Sequence, residues 1–308
     1  MKKISVIGSG TMGNGIAQTL ALYEHDVVLY DINLNNLENA NKTIYNSLSR
    51  MVNKNLISTN QKEKTIKNIN PTTEFDKILD SDLIIEAASE NKDLKISLFE
   101  KIDNKCSPKT IIASNTSSIS ITKLAESTKR MDKVIGMHFM NPVPIMKLVE
   151  IINSKYTSKE TTEKISSLSK KLEKIPLIVN DSPGFISNRI LIPMINEAIE
   201  ALDQKVATVK NIDGIMKLGM GHPMGPLQLA DLIGLDVCKS ILDVMFEGFK
   251  DSKYKANRLL VKLVEDGKLG MKSGEGFYDY SNSRKAEFVS KRFLNDCWKY
   301  FKTKRGNS

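Results

Sequence analysis

Residues 3–13 read KISVIGSGTMG, and this stretch decides the fold of the first part of the chain. The short apolar run Lys3–Ile7 predicts a buried β-strand, which stops at once at Gly8. A helix is predicted from about Thr11 to Tyr23, and Val27–Tyr30 predicts a second strand. Strand, helix and strand in this order are typical of a βαβ unit.

The glycines of this stretch form the pattern GxGxxG at the start of the predicted helix. Gly8 permits a tight turn, Gly10 lets the backbone approach a pyrophosphate, and Gly13 lets helix and strand pack closely. The helix N-terminus adds N–H donors and the positive end of a dipole. The pattern predicts a dinucleotide-binding loop, and the alternative is that the glycines serve only the βα turn. The loop residues are Gly8, Ser9, Gly10, Thr11, Met12 and Gly13.

Asp31 ends the second predicted strand, 18 residues after Gly13. Its carboxylate can accept hydrogen bonds from both hydroxyls of an adenosine ribose, whereas a 2′-phosphate would face a like charge. We therefore expect NAD(H) to be preferred over NADP(H), with some use of both cofactors left open.

The alternation of strands and helices continues to residue 182, which predicts an α/β class with a Rossmann-type, doubly wound sheet of about eight strands. Two polar helical stretches within residues 33–68, the second with Ser58 as N-cap, have the pattern of a helical insertion. After DSPG at 181–184 only helical patterns follow, so residues 183–282 are predicted to form an all-α domain. The later strands are expected at 83–86, 110–113, 133–140, 147–153 and 176–179.

The composition is that of a soluble globular protein long enough for two domains, with 308 residues, 41% hydrophobic and 26% charged. No signal-peptide pattern is present, and no run reaches the roughly 20 apolar residues of a membrane helix. The three cysteines, Cys106, Cys238 and Cys297, are far apart and have no metal-ligand spacing. They predict reduced packing thiols, a cytoplasmic location and no metal site.

The basic charge of the chain is concentrated at its end. Residues 283–308 carry a net +6 of the total +9, so a nucleic-acid partner is not expected. Apolar residues in this extension recur at helical spacing, which predicts an amphipathic helix packed on its own domain or on another subunit. An anionic partner surface is the alternative. These apolar residues are Phe288, Val289, Phe293, Cys297, Trp298 and Phe301.

Residues 136–150, GMHFMNPVPIMKLVE, supply a candidate acid/base pair. Asn141, Pro142 and Pro144 should fold the chain back between two antiparallel strands, so that His138 can meet Glu150. Glu150 is flanked by apolar residues on its own strand face, and a buried carboxylate needs a partner.

The same pair fits the chemistry of an alcohol dehydrogenase. Such an enzyme needs a nicotinamide to take hydride, a base for the hydroxyl proton and donors that fix the substrate oxygen. His138 can be the base, and Glu150 would fix its tautomer and stabilise the imidazolium. SNTSS at 114–118 follows a predicted strand at the same sheet edge. Without such neighbours a single histidine is more often structural, which is how we interpret His25, in an exposed turn, and His222, in an interhelix loop.

Five segments together resemble the (S)-3-hydroxyacyl-CoA dehydrogenase family over roughly residues 1–280. They are GSGTMG with Asp31, SNTSSIS, GMHFMNPVPIMKLVE, DSPGFISNR and KSGEGFYDY. The resemblance implies NAD(H)-dependent interconversion of an (S)-3-hydroxyacyl-CoA and the corresponding 3-ketoacyl-CoA. The expected substrate is the one with a four-carbon acyl chain. It also implies fatty acid or butanoate metabolism and a homodimer formed through the helical domain.

The resemblance also implies roles for individual residues. It makes His138 the catalytic acid/base and Glu150 its orienting partner, with Ser117 and Asn188 as polar contacts around the reacting oxygen and acyl carbonyl. Asn188 would place the site between the two domains. Contacts with the nicotinamide half of the cofactor are implied for Glu90, Lys95, Asn115, Ser117, Asn141 and Lys272.

In this family the helical insertion grips the CoA nucleotide. Ser47, Arg50 and Lys54 lie at i, i+3 and i+7, on one helical face, and with Ser117 they are our candidates for CoA contacts.

Two other functions stay open at this stage. One is a dehydrogenase of the same fold that acts on a free hydroxy acid or sugar acid and has no need of the CoA candidates. The other is a non-catalytic dinucleotide sensor whose basic extension binds nucleic acid or an anionic surface. The sequence leaves the physiological direction and the chain-length preference open.

Overall fold

The structure is a computed structural model that describes residues 1–294. The chain divides into two compact units, and the boundary falls between Phe185 and Ile186. Each unit has its own buried apolar core, and the two are described in turn.

The first unit is an α/β structure built on one eight-stranded sheet. Its strands are β1 (Lys3–Ile7), β2 (Asp26–Tyr30), β3 (Ile69–Thr72), β4 (Leu83–Glu86), β5 (Ile111–Ser114), β6 (Val134–Phe139), β7 (Leu148–Asn153) and β8 (Ile175–Asn180). Its α-helices are α1 (Thr11–Leu22), α2 (Leu34–Asn53), α3 (Thr59–Lys67), α4 (Lys92–Lys105), α5 (Ile121–Glu126) and α6 (Lys159–Lys171).

The strand order β3-β2-β1-β4-β5-β6-β7-β8 confirms the predicted doubly wound sheet. Strands β1 to β6 are parallel, β7 runs antiparallel to β6, and β8 is parallel to β7. Successive residues of a strand enter different cores, because side chains alternate between the two faces. Val27 and Leu29 of β2 belong to the core that also contains residues of α1, α2 and α6, whereas Val28 and Tyr30 belong to the core that contains residues of α4 and α5. Both faces are covered by helices, as a parallel sheet requires.

The two helices predicted within residues 33–68 are observed as α2 and α3, and the strand that follows them was not predicted. Strand β3 follows α3 and pairs in parallel with β2, so α2 and α3 are the crossover between two neighbouring strands. The apolar face of α2, from Leu37 to Leu48, belongs to the same core as β1. The sequence INPT of β3 gave no strand signal because it is short and polar and contains Pro71, which sheets tolerate at an edge. The N-cap at Ser58 is confirmed, and it forms a full capping box with Gln61.

The burial of His25 also differs from the prediction. The prediction placed it in an exposed turn, but only 9% of the residue is accessible. Burial lowers the pKa of its imidazole below the ordinary value, and the nearby N-terminal amine adds to this effect. The Met1 backbone and Lys171 lie near His25, and periodicity of the sequence does not reveal such distant neighbours.

The second unit is helical, as predicted, over the residues that the structure describes. Its helices are α7 (Ser187–Asp203), α8 (Val209–Leu218), α9 (Pro226–Ile233), α10 (Leu235–Phe249) and α11 (Arg258–Glu265). Gly234 separates α9 from α10 with a φ of +104°, a conformation that glycine adopts readily. A two-stranded ribbon, β9 (Tyr278–Asp279) with β10 (Phe288–Val289), follows α11.

The predicted amphipathic helix of the extension is wrong where the structure describes it. Phe288 and Val289 form β10, and Phe293 ends a 3₁₀ turn with its side chain in the helical core. Over so few residues the spacing of these apolar side chains was compatible with a helix and also with a strand. The remaining members of that prediction, Cys297, Trp298 and Phe301, lie outside the described residues.

Two buried aspartates fix the GEGFYDY segment in the second unit. Asp231 on α9 accepts from the backbone N–H groups of Phe277 and Tyr278 at 3.0 and 2.9 Å. Its Oδ2 also accepts from the hydroxyl of Tyr280 at 3.1 Å. Asp213 on α8 accepts from the Tyr278 hydroxyl at 2.7 Å. The two carboxylates therefore attach this segment to α8 and α9, in addition to the pairing of β9 with β10.

Stability of the second unit should fall as pH rises from about 4 to about 7. Burial raises the pKa of Asp231 to about 7, even though three donors lower it. In the unfolded chain the pKa is about 3.9, so the protonated aspartate stabilises the fold fully below that value and this contribution is lost once pH exceeds the folded-state pKa. Between them the free energy of unfolding should fall by about 1.4 kcal/mol per pH unit.

Equilibrium urea unfolding at a series of pH values measures this slope. The control variant is Asp231→Asn, which cannot titrate and should lose that slope at the cost of lower stability at acidic pH. Identical slopes in the variant and the parent chain would contradict the assignment.

Candidate active site

The glycine loop is shaped by contacts that a side chain would block. Gly8 has a φ of +93°, and a Cβ atom there would lie 2.6 Å from the carbonyl oxygen of Ala87. A Cβ atom on Gly13 would lie 1.7 Å from the carbonyl oxygen of Gly8. Around Gly10, among the described residues, a Cβ atom would meet nothing within 4 Å. The loop thus joins β1, β4 and α1 tightly and leaves open space where a ligand can approach the backbone.

A cavity of about 660 Å³ lies beside this loop at the carboxyl ends of β1, β2 and β4. The strand order reverses here, because β1 has β2 on one side and β4 on the other. Open α/β sheets bind ligands at such a point. Phe75, Leu94 and Leu98 form apolar walls, so the cavity suits a ligand with a flat apolar ring and a phosphate. The loop residues that line it are Gly8, Gly10, Thr11 and Met12.

Asp31 lies on the wall of this cavity and is held ionised. Its Oδ2 accepts from the N–H and the hydroxyl of Ser9 at 2.9 and 2.8 Å. Its Oδ1 accepts from the Asn33 N–H at 3.0 Å and the Asn36 amide at 3.2 Å. Burial raises the pKa of Asp31, but these donors outweigh it and the pKa lies below its ordinary value. The carboxylate therefore presents a fixed negative charge where an adenosine ribose is expected.

A buried ionic network lies beside the loop, at the ends of β4 and β5. Lys95 is 1% exposed, and its ammonium lies 2.5 Å from Glu86 Oε1 and 3.4 Å from Glu90 Oε2. Glu90 in turn accepts from the hydroxyls of Thr116 and Ser118 at 2.5 and 2.9 Å. Burial raises the pKa of Glu90, but Lys95 and these hydroxyl donors bring it below the ordinary value. Glu90 is therefore ionised.

The loop after β5 connects this network to the next strand. The backbone N–H of Ser117 donates to Glu90 at 3.0 Å. The side-chain oxygen of Asn115 accepts from the backbone N–H of Phe139 at 2.9 Å, immediately after His138 in the chain. Residues 114–118 thus link the dinucleotide side of the sheet edge to the histidine.

His138 and Glu150 face each other across β6 and β7, as predicted from the sequence. They are a register pair of the two antiparallel strands, and His138 Nδ1 lies 2.8 Å from Glu150 Oε2. His138 is 8% exposed and Glu150 3%. An ionised carboxylate can only accept, so Nδ1 carries the proton and the neutral ring keeps its lone pair on Nε2. The Phe185 ring lies 6.0 Å from the imidazole, measured between ring centroids.

The connection between β6 and β7 is fixed by a lysine that the sequence analysis missed. The ammonium of Lys174 is buried and donates to the carbonyl oxygens of Val143 and Met146 at 2.6 and 2.8 Å. Burial lowers its pKa below the ordinary value. Lys174 lies just before β8, so no local pattern connects it with residues 143 and 146. Asn141, implied by the resemblance as a cofactor contact, is exposed at the start of this connection.

Two residues implied by the resemblance belong to the second unit. Asn188 is the second residue of α7 and is half-buried. Lys272 lies in a 3₁₀ turn, where its ammonium bonds the Asp236 carboxylate at 2.7 Å. The contact of Asn188 with the substrate and the contact of Lys272 with the cofactor stay predictions.

The candidate CoA contacts lie at the end of α2. Arg50 is exposed and Ser47 half-buried on the helix, and Lys54 is the C-cap residue that follows it. Lys62, on α3, donates to the hydroxyl of Ser49 at 2.8 Å and adds another cation to this region. Cations here also offset the negative end of the helix dipole, so their placement has a structural reason as well.

Glu86 is the site residue that sequence reasoning missed. It ends the strand LIIE, and a charged residue at the end of a buried apolar strand was the available signal. Within residues 1–294 no group of His, Cys, Asp or Glu side chains could hold a metal ion, and no helix is long and apolar enough to cross a membrane. Cys106 and Cys238 are buried free thiols, as predicted.

Known proteins resemble the chain over both units. Residues 3–182 match the 3-hydroxyacyl-CoA dehydrogenase NAD-binding domain, and residues 184–280 match the C-terminal domain of the same family. A 3-hydroxybutyryl-CoA dehydrogenase of Clostridioides difficile is 48% identical over 91% of this chain and 99% of its own length. The mitochondrial hydroxyacyl-coenzyme A dehydrogenase of Sus scrofa is 43% identical over 91% of each chain.

A crystal structure resembles the fold as a whole. The (S)-3-hydroxybutyryl-CoA dehydrogenase of Ralstonia eutropha is 45% identical, with a TM-score of 0.89 over 92% of this chain and all of its own. Family matches on both sides of the unit boundary, together with a dinucleotide loop and a histidine–carboxylate pair at one sheet edge, lead to one conclusion. The chain belongs to the 3-hydroxyacyl-CoA dehydrogenase family and is an NAD-dependent oxidoreductase.

Proposed function

We propose that this protein interconverts (S)-3-hydroxybutyryl-CoA and acetoacetyl-CoA with NAD(H). The observation that carries the proposal is the His138–Glu150 pair, because it provides a tautomerically fixed base on the sheet edge that also carries the glycine loop. The relatives from Clostridioides difficile and Ralstonia eutropha, which are named for this substrate, support the four-carbon acyl chain.

In the oxidising direction Nε2 of His138 takes the proton from the C3 hydroxyl of the substrate. Glu150 accepts a hydrogen bond from the Nδ1–H group throughout and stabilises the imidazolium that forms. A bound nicotinamide supplies the acceptor for the hydride that leaves C3. In the reducing direction the imidazolium returns the proton to the oxygen as hydride reaches C3. Ser117 and Asn188 are proposed to hold the reacting oxygen and the acyl carbonyl.

NAD(H) is proposed as the preferred cofactor over NADP(H). Asp31 is ionised and already accepts four hydrogen bonds, which fixes its charge toward the ribose position. A 2′-phosphate at that position would be repelled by the like charge of the Asp31 carboxylate. The contacts proposed for the nicotinamide half are Glu90, Lys95, Asn115, Ser117, Asn141 and Lys272.

We propose that residues 1–182 bind the cofactor and that residues 33–68 within them bind CoA. Residues 183–282 are proposed to bind substrate and to form the dimer. Several large apolar side chains of the second unit are exposed, with Leu218 at 91% and Val206 at 72%. This favours a homodimer through that unit, and a monomeric mass by light scattering would contradict it. Buried free thiols fit a cytoplasmic location.

The test of the function is NADH oxidation with acetoacetyl-CoA, compared with free acetoacetate, oxidised sugar acids and NADPH as cofactor. We expect turnover with the thioester and NADH, much weaker turnover with NADPH and little with the free acids. Equal or better turnover of a free acid would refute the CoA assignment and favour the hydroxy-acid alternative. Cofactor binding without any turnover would favour the non-catalytic sensor.

His138→Gln should reduce kcat by about 100-fold to 10,000-fold, because the proton has no acceptor, while NADH affinity stays unchanged. Glu150→Gln should reduce kcat less and change the pH profile, because the imidazolium loses its stabilising carboxylate. Steady-state rates across pH, with NADH binding by fluorescence, measure both effects. An unchanged rate in either variant would remove that residue from the mechanism.

Arg50→Glu should raise the KM for acetoacetyl-CoA by about tenfold and leave the KM for NADH unchanged, because the CoA phosphates would meet a negative charge. The matched control is Lys42→Glu, which reverses an exposed charge on another flank of the same helix. Steady-state kinetics at low salt compare the two. If both variants raise the KM equally, the effect is general surface charge and not a phosphate contact.

A further inference from the structure

We propose that Glu86 is a positioning residue of the dinucleotide site that acts through Lys95 and makes the site selective for the oxidised, cationic nicotinamide. The inference rests on the proposed function, in which Glu90, Lys95 and Asn115 serve the nicotinamide half. It assigns a role to a carboxylate that the proton and hydride steps do not use.

Glu86 is buried completely, with 0% of the residue accessible, and each of its oxygens has a defined donor. Oε1 accepts from the ammonium of Lys95 at 2.5 Å and from the backbone N–H of Ala88 at 2.6 Å. Oε2 accepts from the hydroxyl of Ser114 at 2.6 Å. The carboxylate is therefore ionised, satisfied and fixed in one orientation.

The groups that donate to Glu86 belong to the segments that form the site. Ala88 lies in the loop that packs on Gly8, because a Cβ on Gly8 would lie 2.9 Å from the Ala88 nitrogen. Ser114 Oγ accepts from the Thr116 N–H at 3.1 Å, and the Asn115 N–H donates to the Glu86 carbonyl oxygen at 2.7 Å. One side chain and its backbone thus position the glycine loop and residues 114–118 together.

Lys95 connects Glu86 to Glu90. Its ammonium has three donors and meets three protein acceptors, Glu86 Oε1, the Ala88 carbonyl oxygen at 3.3 Å and Glu90 Oε2. Glu90 has a side chain 39% exposed, so it is the member of the network that reaches the surface of the site. Lys95 therefore transmits the position of Glu86 to Glu90.

The charges of the network do not cancel. Two carboxylates and one ammonium leave a net charge of −1, and Glu86 and Lys95 are buried, so water screens their charges only weakly. Oxidised nicotinamide carries a positive charge and reduced nicotinamide is neutral. The network therefore stabilises bound NAD⁺ relative to bound NADH, and removal of the Glu86 charge makes it neutral.

The experiment measures the dissociation constants of NAD⁺ and NADH for the full chain without acyl-CoA. Glu86→Gln keeps the shape and removes the charge, so we expect NAD⁺ affinity to fall about tenfold and NADH affinity to fall less. Glu86→Asp keeps the charge and withdraws the carboxylate, so both affinities should fall while their ratio stays near that of the parent chain. An unchanged ratio in Glu86→Gln would overturn the electrostatic role, and if that variant does not fold, a changed ratio in Glu86→Asp would overturn it instead.

The matched control is Asp103→Asn, on the same helix as Lys95. Asp103 is a buried carboxylate that pairs with Arg130 at 2.6 Å, away from the cavity. It should lower the melting temperature and leave both affinities unchanged. If it changes the NAD⁺ to NADH ratio as Glu86→Gln does, the effect is general loss of stability and the proposal fails.

A double-mutant cycle tests whether Glu86 acts through Lys95. In a Lys95→Met background Glu86→Gln should lower NADH affinity, which reports position and not charge, much less than it does alone, because the connection is already broken. Full additivity would overturn the connection. A parent chain that binds both cofactor forms but does not reduce acetoacetyl-CoA would refute only the proposed substrate, whereas a chain that binds neither form would refute both proposals.

Discussion

The register between β6 and β7 is the constraint on which the site depends. In an antiparallel pair, side chains directly opposite each other lie on the same face, and a shift by one residue would move His138 to the other face of the sheet. Several contacts hold this register. Gly136 lies opposite Ile152, and a Cβ there would come within 2.7 Å of that isoleucine. Lys174 fixes the connection between the strands through two carbonyl groups. The acid/base pair is thus a consequence of sheet packing.

The site is assembled at one edge of the sheet because its functional side chains follow strand ends. Gly8 follows β1, Asp31 follows β2, Glu86 ends β4 and Asn115 follows β5. The parallel strands bring these ends together, and apolar cores on both faces hold the strands in place. Buried charge is tolerated at this edge since each group has an opposite charge or several donors, as Asp31 and Lys95 have.

Several elements were predictable because their signals are local. The strand over Lys3–Ile7, the glycine loop and the N-cap at Ser58 each depend on residues a few positions apart, and each is confirmed. Strand β3 was not predictable, because an edge strand with Asn70 and Pro71 has neither apolar alternation nor high strand propensity. Its pairing with β2 is decided by the tertiary structure. The tertiary structure also decides the burial of His25 and the pairing of β10 with β9. Helical periodicity in the sequence reveals neither of them.

The sequence by itself determined the α/β class, the dinucleotide loop, the position of Asp31 after β2 and the pairing of His138 with Glu150. Each of these follows from residue type and short spacing, and the prolines of the β6–β7 connection limited the chain to a fold-back. Only the tertiary structure decided that Glu86 joins Lys95, that Asp231 holds residues 277–280 and that Lys174 supports residues 143–146. These contacts join side chains to distant segments, and a buried charge takes whichever partner the packing of strands and helices brings within bonding distance.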